Sequence, residues 1–224
     1  MVTHKSPLRQ KTLAALIILL LFSLVLAACG GTTAPKTKKS TTLTMLANTS
    51  GGYPRNFNPY APSVISGTQG MIYETLLNYN RLDGTIKPWL AESFEMASNA
   101  QSITFHLAKN VQWSDGQPFT SADVTFTLGL IKANSSIDVS GISQYIKDVS
   151  TPDDYTVKVT LTQAFYPIIW YLGGQTYILP KHTWSTVKGD PSQYSDPNPV
   201  GTGPFTVKSF TPQLVVLQKN TKFR

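Results

Sequence analysis

The sequence predicts an α/β domain with β-rich portions, and three observations carry that expectation. Apolar and polar residues alternate through Ile103, Phe105 and Leu107 and again through Val157, Val159 and Leu161, the period of half-buried strands. Thr120-Ser121-Ala122-Asp123 reads as a capping box, and Val124, Leu128 and Ile131 then line one helical face. Apolar residues make up 41% of the chain and charged ones 14%, ample for a core and too apolar for a disordered chain.

Lys5, Arg9 and Lys11 precede an apolar run from Leu13 to Phe22 that resumes after Ser23 and reaches Ala28. A positive flank, a short apolar stretch and small residues at its end describe a secretory signal over residues 1–28. The run falls short of the roughly 18–20 residues that span a bilayer comfortably. It ends Leu26-Ala27-Ala28-Cys29, which resembles the lipobox of bacterial lipoproteins. The resemblance implies cleavage before Cys29 and attachment of diacylglycerol to its thiol, with palmitate-type chains anchoring the protein. An uncleaved membrane anchor is the competing reading; the only cysteine of the chain stands where lipidation needs it. Residues 29–42 hold almost nothing to bury and read as a hydrated tether.

From Leu43 the apolar pattern runs on without another linker. Thr68 to Leu77 offers Ile72 with Leu76 and Tyr73 with Leu77 at helical spacing, so a helix is expected there. Leu82-Asp83-Gly84 and Ser114-Asp115-Gly116 are turn signals. Phe205 and Val207, followed by Leu214 to Leu217, suggest a hairpin turning near Thr211-Pro212.

The net charge of +7 invites a nucleic-acid reading, but six of the 19 basic residues precede residue 40 and all 12 acidic ones follow it. The body of the chain is nearly neutral, so no phosphate-binding face and no nucleic-acid partner is implied. A single cysteine excludes an internal disulfide and a zinc site built on several thiolates. Gly201-Thr202-Gly203 leads into Pro204 and a strand rather than a helix, which argues against a dinucleotide loop. His4, His106 and His182 form no metal spacing. Glu92 and Glu95 are the one close glutamate pair available for acid–base work on a glycoside, and a solvated turn explains them as well. No catalytic residue, metal or cofactor is nominated.

The most informative stretch runs from Lys87 to Ala133, with Lys-Pro-Trp-Leu-Ala-Glu-Ser-Phe at its start and Trp113-Ser-Asp-Gly-Gln-Pro-Phe-Thr-Ser-Ala-Asp-Val further on. Tyr177-Ile-Leu-Pro-Lys-His182 and Pro199-Val-Gly-Thr-Gly-Pro-Phe205 follow in order. Together these segments resemble the family 5 extracellular solute-binding proteins of ABC importers, the oligopeptide- and dipeptide-binding group. Asn99-Ala100 stands where that family usually has aspartate-glycine in a hairpin, and Asn110 where it has glycine. The motifs have a scaffold sense of their own. Asp115-Gly116 turns the chain, Thr120 caps a helix, and Gly201 and Gly203 are expected to adopt backbone angles closed to other residues.

The resemblance implies a periplasmic-binding-protein-like (type II) fold, with residues 43–224 as the N-terminal part. That part would be lobe I with a β-rich subdomain over about 61–165, and the second lobe would be missing from this chain. It implies a lipid-anchored, monomeric protein on the extracytoplasmic face of the membrane. Such a protein captures a peptide and delivers it to ABC permease subunits with their ATPases. In this resemblance Asn56, Phe57, Asn58 and Tyr60 lie where the first strand opens into the cleft, the asparagines to hydrogen-bond a ligand and the rings to pack on it. A turn at Asn58-Pro59 with Phe57 in the core is an equal reading. Trp170, Tyr171 and Tyr177 flank Gly173-Gly174 as a second aromatic cluster, either core or contact. Cello-oligosaccharide binding by the same fold is the alternative, with Trp113, Trp170 and Tyr60 stacking on sugar faces; a secreted glycoside hydrolase using Glu92 and Glu95 is a third reading.

Overall fold

The computed structural model describes residues 42–46, 52–80 and 82–224; the signal, Cys29 and nearly all of the tether lie outside the described residues. Among the described residues, three antiparallel sheets organise the fold. β1 (Thr42–Leu46) pairs with β9 (Leu214–Lys219), which pairs with β8 (Phe205–Thr211). The β8–β9 hairpin turns at Thr211, whose Oγ1 accepts the Leu214 backbone N–H at 3.1 Å. A small ribbon joins β2 (Leu77–Tyr79) to β3 (Ile86–Pro88).

The third sheet has four strands in the order β4 (Ala91–Met96), β5 (Ser102–Leu107), β7 (Thr156–Leu161), β6 (Ile146–Asp153). The alternation read from the sequence sets its buried face. Ile103, Phe105 and Leu107 point inward from β5, with Ile103 opposite Val159 and Phe105 opposite Val157.

Helix α1 (Ser121–Ala133) covers that face, burying Val124, Leu128 and Ile131. Thr120 is its N-cap, and the Asp123 carboxylate reaches back to accept the Thr120 backbone N–H at 3.0 Å. The other Asp123 oxygen accepts the Lys181 backbone N–H at 2.9 Å. The capping residue therefore also pins the segment after Pro180 to the helix start. This first core centres on Phe105, Trp113 and Phe119. A second core gathers Phe57, Ile72, Tyr73, Leu179, Trp184 and Val215.

The helix expected over Thr68–Leu77 does not form. A short looped turn at Thr68–Ile72 contains Gly70 at φ 84° and gives way to extended chain. All six residues from Ile72 to Leu77 are buried, so the segment has no polar face on which helical and extended periods would differ. Its carbonyls are taken by distant donors: Ile72 O by Gly203 N, Glu74 O by Ile178 N, Thr75 O by Leu90 N and Leu76 O by Ala91 N. Ile72 and Tyr73 enter the second core, Leu76 and Leu77 the first.

Gly201 and Gly203 also have a different reason from the one expected, since neither has positive φ. They lie against the backbone of that buried segment. A Cβ on Gly201 would overlap the Ile72 carbonyl, and one on Gly203 the Met71 carbonyl. The turn glycines behave as read, Gly84 at φ 73° and Gly116 at φ 93°. At the β4–β5 hairpin, Ala100 occupies the left-handed region at φ 52°, where an alanine is strained.

Candidate functional site

The segment Arg55 to Tyr60 is fastened to the loop at 190–198. The Arg55 guanidinium donates to Pro197 O at 2.9 Å and to Asn198 Oδ1 at 3.0 Å. Asn58 is fully buried, its amide donating to Pro191 O at 2.8 Å and Tyr194 O at 2.7 Å while its oxygen accepts Tyr60 N at 2.8 Å. Asn56 accepts the Asn58 backbone N–H at 3.1 Å and donates to Ser63 Oγ at 3.1 Å. Phe57 has no exposed surface and meets Phe210 edge-on at 6.1 Å. These three side chains build the segment that presents Tyr60. Tyr60 is half-buried, donates its hydroxyl to Tyr177 O at 2.6 Å, and burial pushes its phenol further from ionisation.

Tyr177 sits between two cavities. The larger, of ≈ 540 Å³, runs between Pro59–Pro62, the loop that follows α1 and the stretch Gly174–Tyr177. The smaller, of ≈ 190 Å³, is walled by Tyr79, Trp89, Trp170 and Tyr177, with Glu74 at its floor. Gly174 borders both. Trp170 and Tyr79 meet edge-on with centroids 4.0 Å apart. Gly174 lies against both, where an added Cβ would come within 3.3 Å of Trp170 and 3.5 Å of Tyr79, and Gly173 lies against Leu77, where one would come within 2.6 Å of Cδ1.

The structure thus brings Tyr60, Trp170 and Tyr177 to one region. Tyr171 faces elsewhere, stacked on Phe165, which stacks on Tyr145 at 4.0 Å. Trp113 has no exposed surface, and its indole N–H donates to Asp123 Oδ2 at 3.3 Å, so it offers no face to a sugar. Glu92 and Glu95 are exposed on β4, Glu92 at a bulge in the pairing with β5, and Glu95 lies 3.9 Å from His106.

Sequence reasoning missed the floor of the smaller cavity. The Glu74 carboxylate, with no exposed side-chain surface, takes a two-pronged contact from Arg224 at 3.0 and 3.2 Å. Burial raises the Glu74 pKa, and hydrogen bonds and charge from Arg224 oppose that rise. The Arg224 guanidinium also lies over the Trp89 ring at 5.4 Å. The partners are 150 residues apart, and no local pattern signals such a pair.

Residues 85–224 match the family described as bacterial extracellular solute-binding proteins, family 5 middle. The chain belongs to this family. A candidate ABC transporter peptide-binding protein of Brucella ovis is 31% identical to this chain over 182 residues, 78% of this chain and 34% of that one. Among solved structures, a mannohexaose-bound periplasmic oligopeptide-binding protein of Thermotoga maritima superposes with a TM-score of 0.72 at 32% identity, covering 77% of this chain and 32% of that one. An ABC transporter-associated periplasmic binding protein of Helicobacter pylori, in complex with the peptide STSA, gives a TM-score of 0.63 at 26% identity over 77% of this chain and 38% of that one. The chain therefore spans about a third of the length of such relatives. The fold is the α/β periplasmic-binding-protein fold of family 5, present here as a partial domain.

Proposed function

We propose that this chain is the extracytoplasmic, peptide-capturing part of an ABC importer, tethered to the membrane through lipid on Cys29 and passing its cargo to the permease. The family match carries this reading, joined to a cavity region walled by Tyr60, Trp170 and Tyr177. Extended peptides are held in such clefts by backbone pairing, with pockets beside them for side chains. The Helicobacter pylori relative holds a peptide.

Thermal unfolding of the full chain with tripeptides and with cello-oligosaccharides tests the solute. Saturating peptide should raise the midpoint, ligand at a hundred times its Kd adding about 2.7 kcal/mol. Stabilisation by the sugars alone would replace the peptide reading with the carbohydrate one, which the mannohexaose-bound relative favours. Metabolic labelling with palmitate tests the anchor: Cys29→Ser should lose both label and membrane retention.

A further inference from the structure

The ≈ 540 Å³ cavity falls within the size range of small-molecule sites, and its wall has a one-sided charge. Among the described residues no lysine, arginine or histidine lines it, and apart from the tyrosines Asp138 is its one ionisable group. The Asp138 carboxylate accepts the backbone N–H groups of Ile142 at 2.8 Å and Ser143 at 3.1 Å, which hold it in place without cancelling its charge. The other polar groups do not reverse that sign. The Gln69 amide N–H is engaged by Pro59 O at 2.7 Å, and Gln175 Oε1 lies 3.3 Å from the Ser140 hydroxyl. Tyr60 directs its proton to Tyr177 O. A carboxylate entering this space meets a fixed negative charge and no cation to pair with, and burying it there is costly.

We infer that this cavity is a charge-selecting subsite, admitting a neutral or cationic side chain of a bound peptide and shutting out an acidic one. The inference rests on the peptide reading above. Val139, 84% exposed on the cavity wall, offers a position where the sign can be changed without touching the core.

Titration calorimetry on the full chain, with tripeptides in which leucine, lysine or glutamate is placed at each position in turn, tests it. At one position the glutamate peptide should bind about tenfold or more weakly than the leucine and lysine peptides. Val139→Lys, checked for an unchanged melting temperature, should recover about threefold or more for that glutamate peptide and weaken the lysine one. Equal binding of leucine and glutamate peptides at every position would overturn the inference alone, as would a Val139→Lys variant that leaves the glutamate peptide unchanged. Failure of the whole series to bind would overturn the peptide reading, and this inference with it.

Discussion

Asp196 should make this fold less stable as pH rises through the weakly acidic range, and Asp196→Asn should remove that dependence. The carboxylate is 4% exposed and accepts the Tyr73 hydroxyl at 2.5 Å. Burial raises its pKa from the ordinary 3.8 to about 6, and the hydrogen bond from Tyr73 only partly opposes the rise. Below about pH 3 the group is protonated in both the folded and unfolded chain, and its titration costs nothing. Between about pH 3 and pH 7 the unfolded chain ionises first, so folding is penalised progressively, and above about pH 7 the penalty is complete. At about 1.4 kcal/mol for each tenfold change in proton affinity, the full penalty is roughly 3 kcal/mol. Asparagine keeps an acceptor for Tyr73 and tolerates the φ of 43° at this position, though its amide hydrogens introduce a cost of their own. That cost is independent of pH and drops out of the comparison. Urea unfolding of both proteins at pH 3.0 and pH 7.5 measures the effect. The variant should gain about 3 kcal/mol relative to wild type on going from the lower pH to the higher. An identical stability difference at the two pH values would refute the reasoning.

Other perturbations give equally definite outcomes. Ala100→Gly relieves the left-handed strain at the β4–β5 turn and should stabilise by about 1 kcal/mol, read from the urea midpoint at unchanged slope. Arg224→Met strands the buried Glu74 carboxylate and should cost about 3 kcal/mol near pH 8, less at pH 5 as protonation relieves the unpaired charge, measured by the same titration at both pH values. Gly201→Ala drives a methyl into the Ile72 carbonyl and should destabilise by more than about 3 kcal/mol, or prevent folding; circular dichroism and a melting curve decide it.

What could be read in advance was the chemistry of neighbours. A capping box needs three intervening bonds along the chain, and the alternation of β5 and β7 records which face each residue shows to the core. The turns at Gly84 and Gly116 follow from residue type. The segment Ile72–Leu77 was illegible because a run buried on every side carries no period. The candidate site was legible in part, as placement beside the cavities. Tyr60, Trp170 and Tyr177 stand at the cavities, whereas Asn56, Phe57 and Asn58 serve the scaffold that presents them. Asn58 meets its partners at 191 and 194, and Glu74 its partner at 224, pairings that only the assembled fold creates. The loop holding Asp138 and Val139 has composition but no pattern, so its place on a cavity wall emerges only in three dimensions.

The buried stretch from Ile72 to Leu77 also bears on the order in which the molecule can come together. Its carbonyls wait on donors at 90 and 91, then 178, then 203, and its side chains are divided between both cores. The stretch is fully tied only when Gly203, distant in the sequence, lies against it. The two cores therefore share one seam, whose completion depends on contacts of high sequence separation, the kind that form slowly.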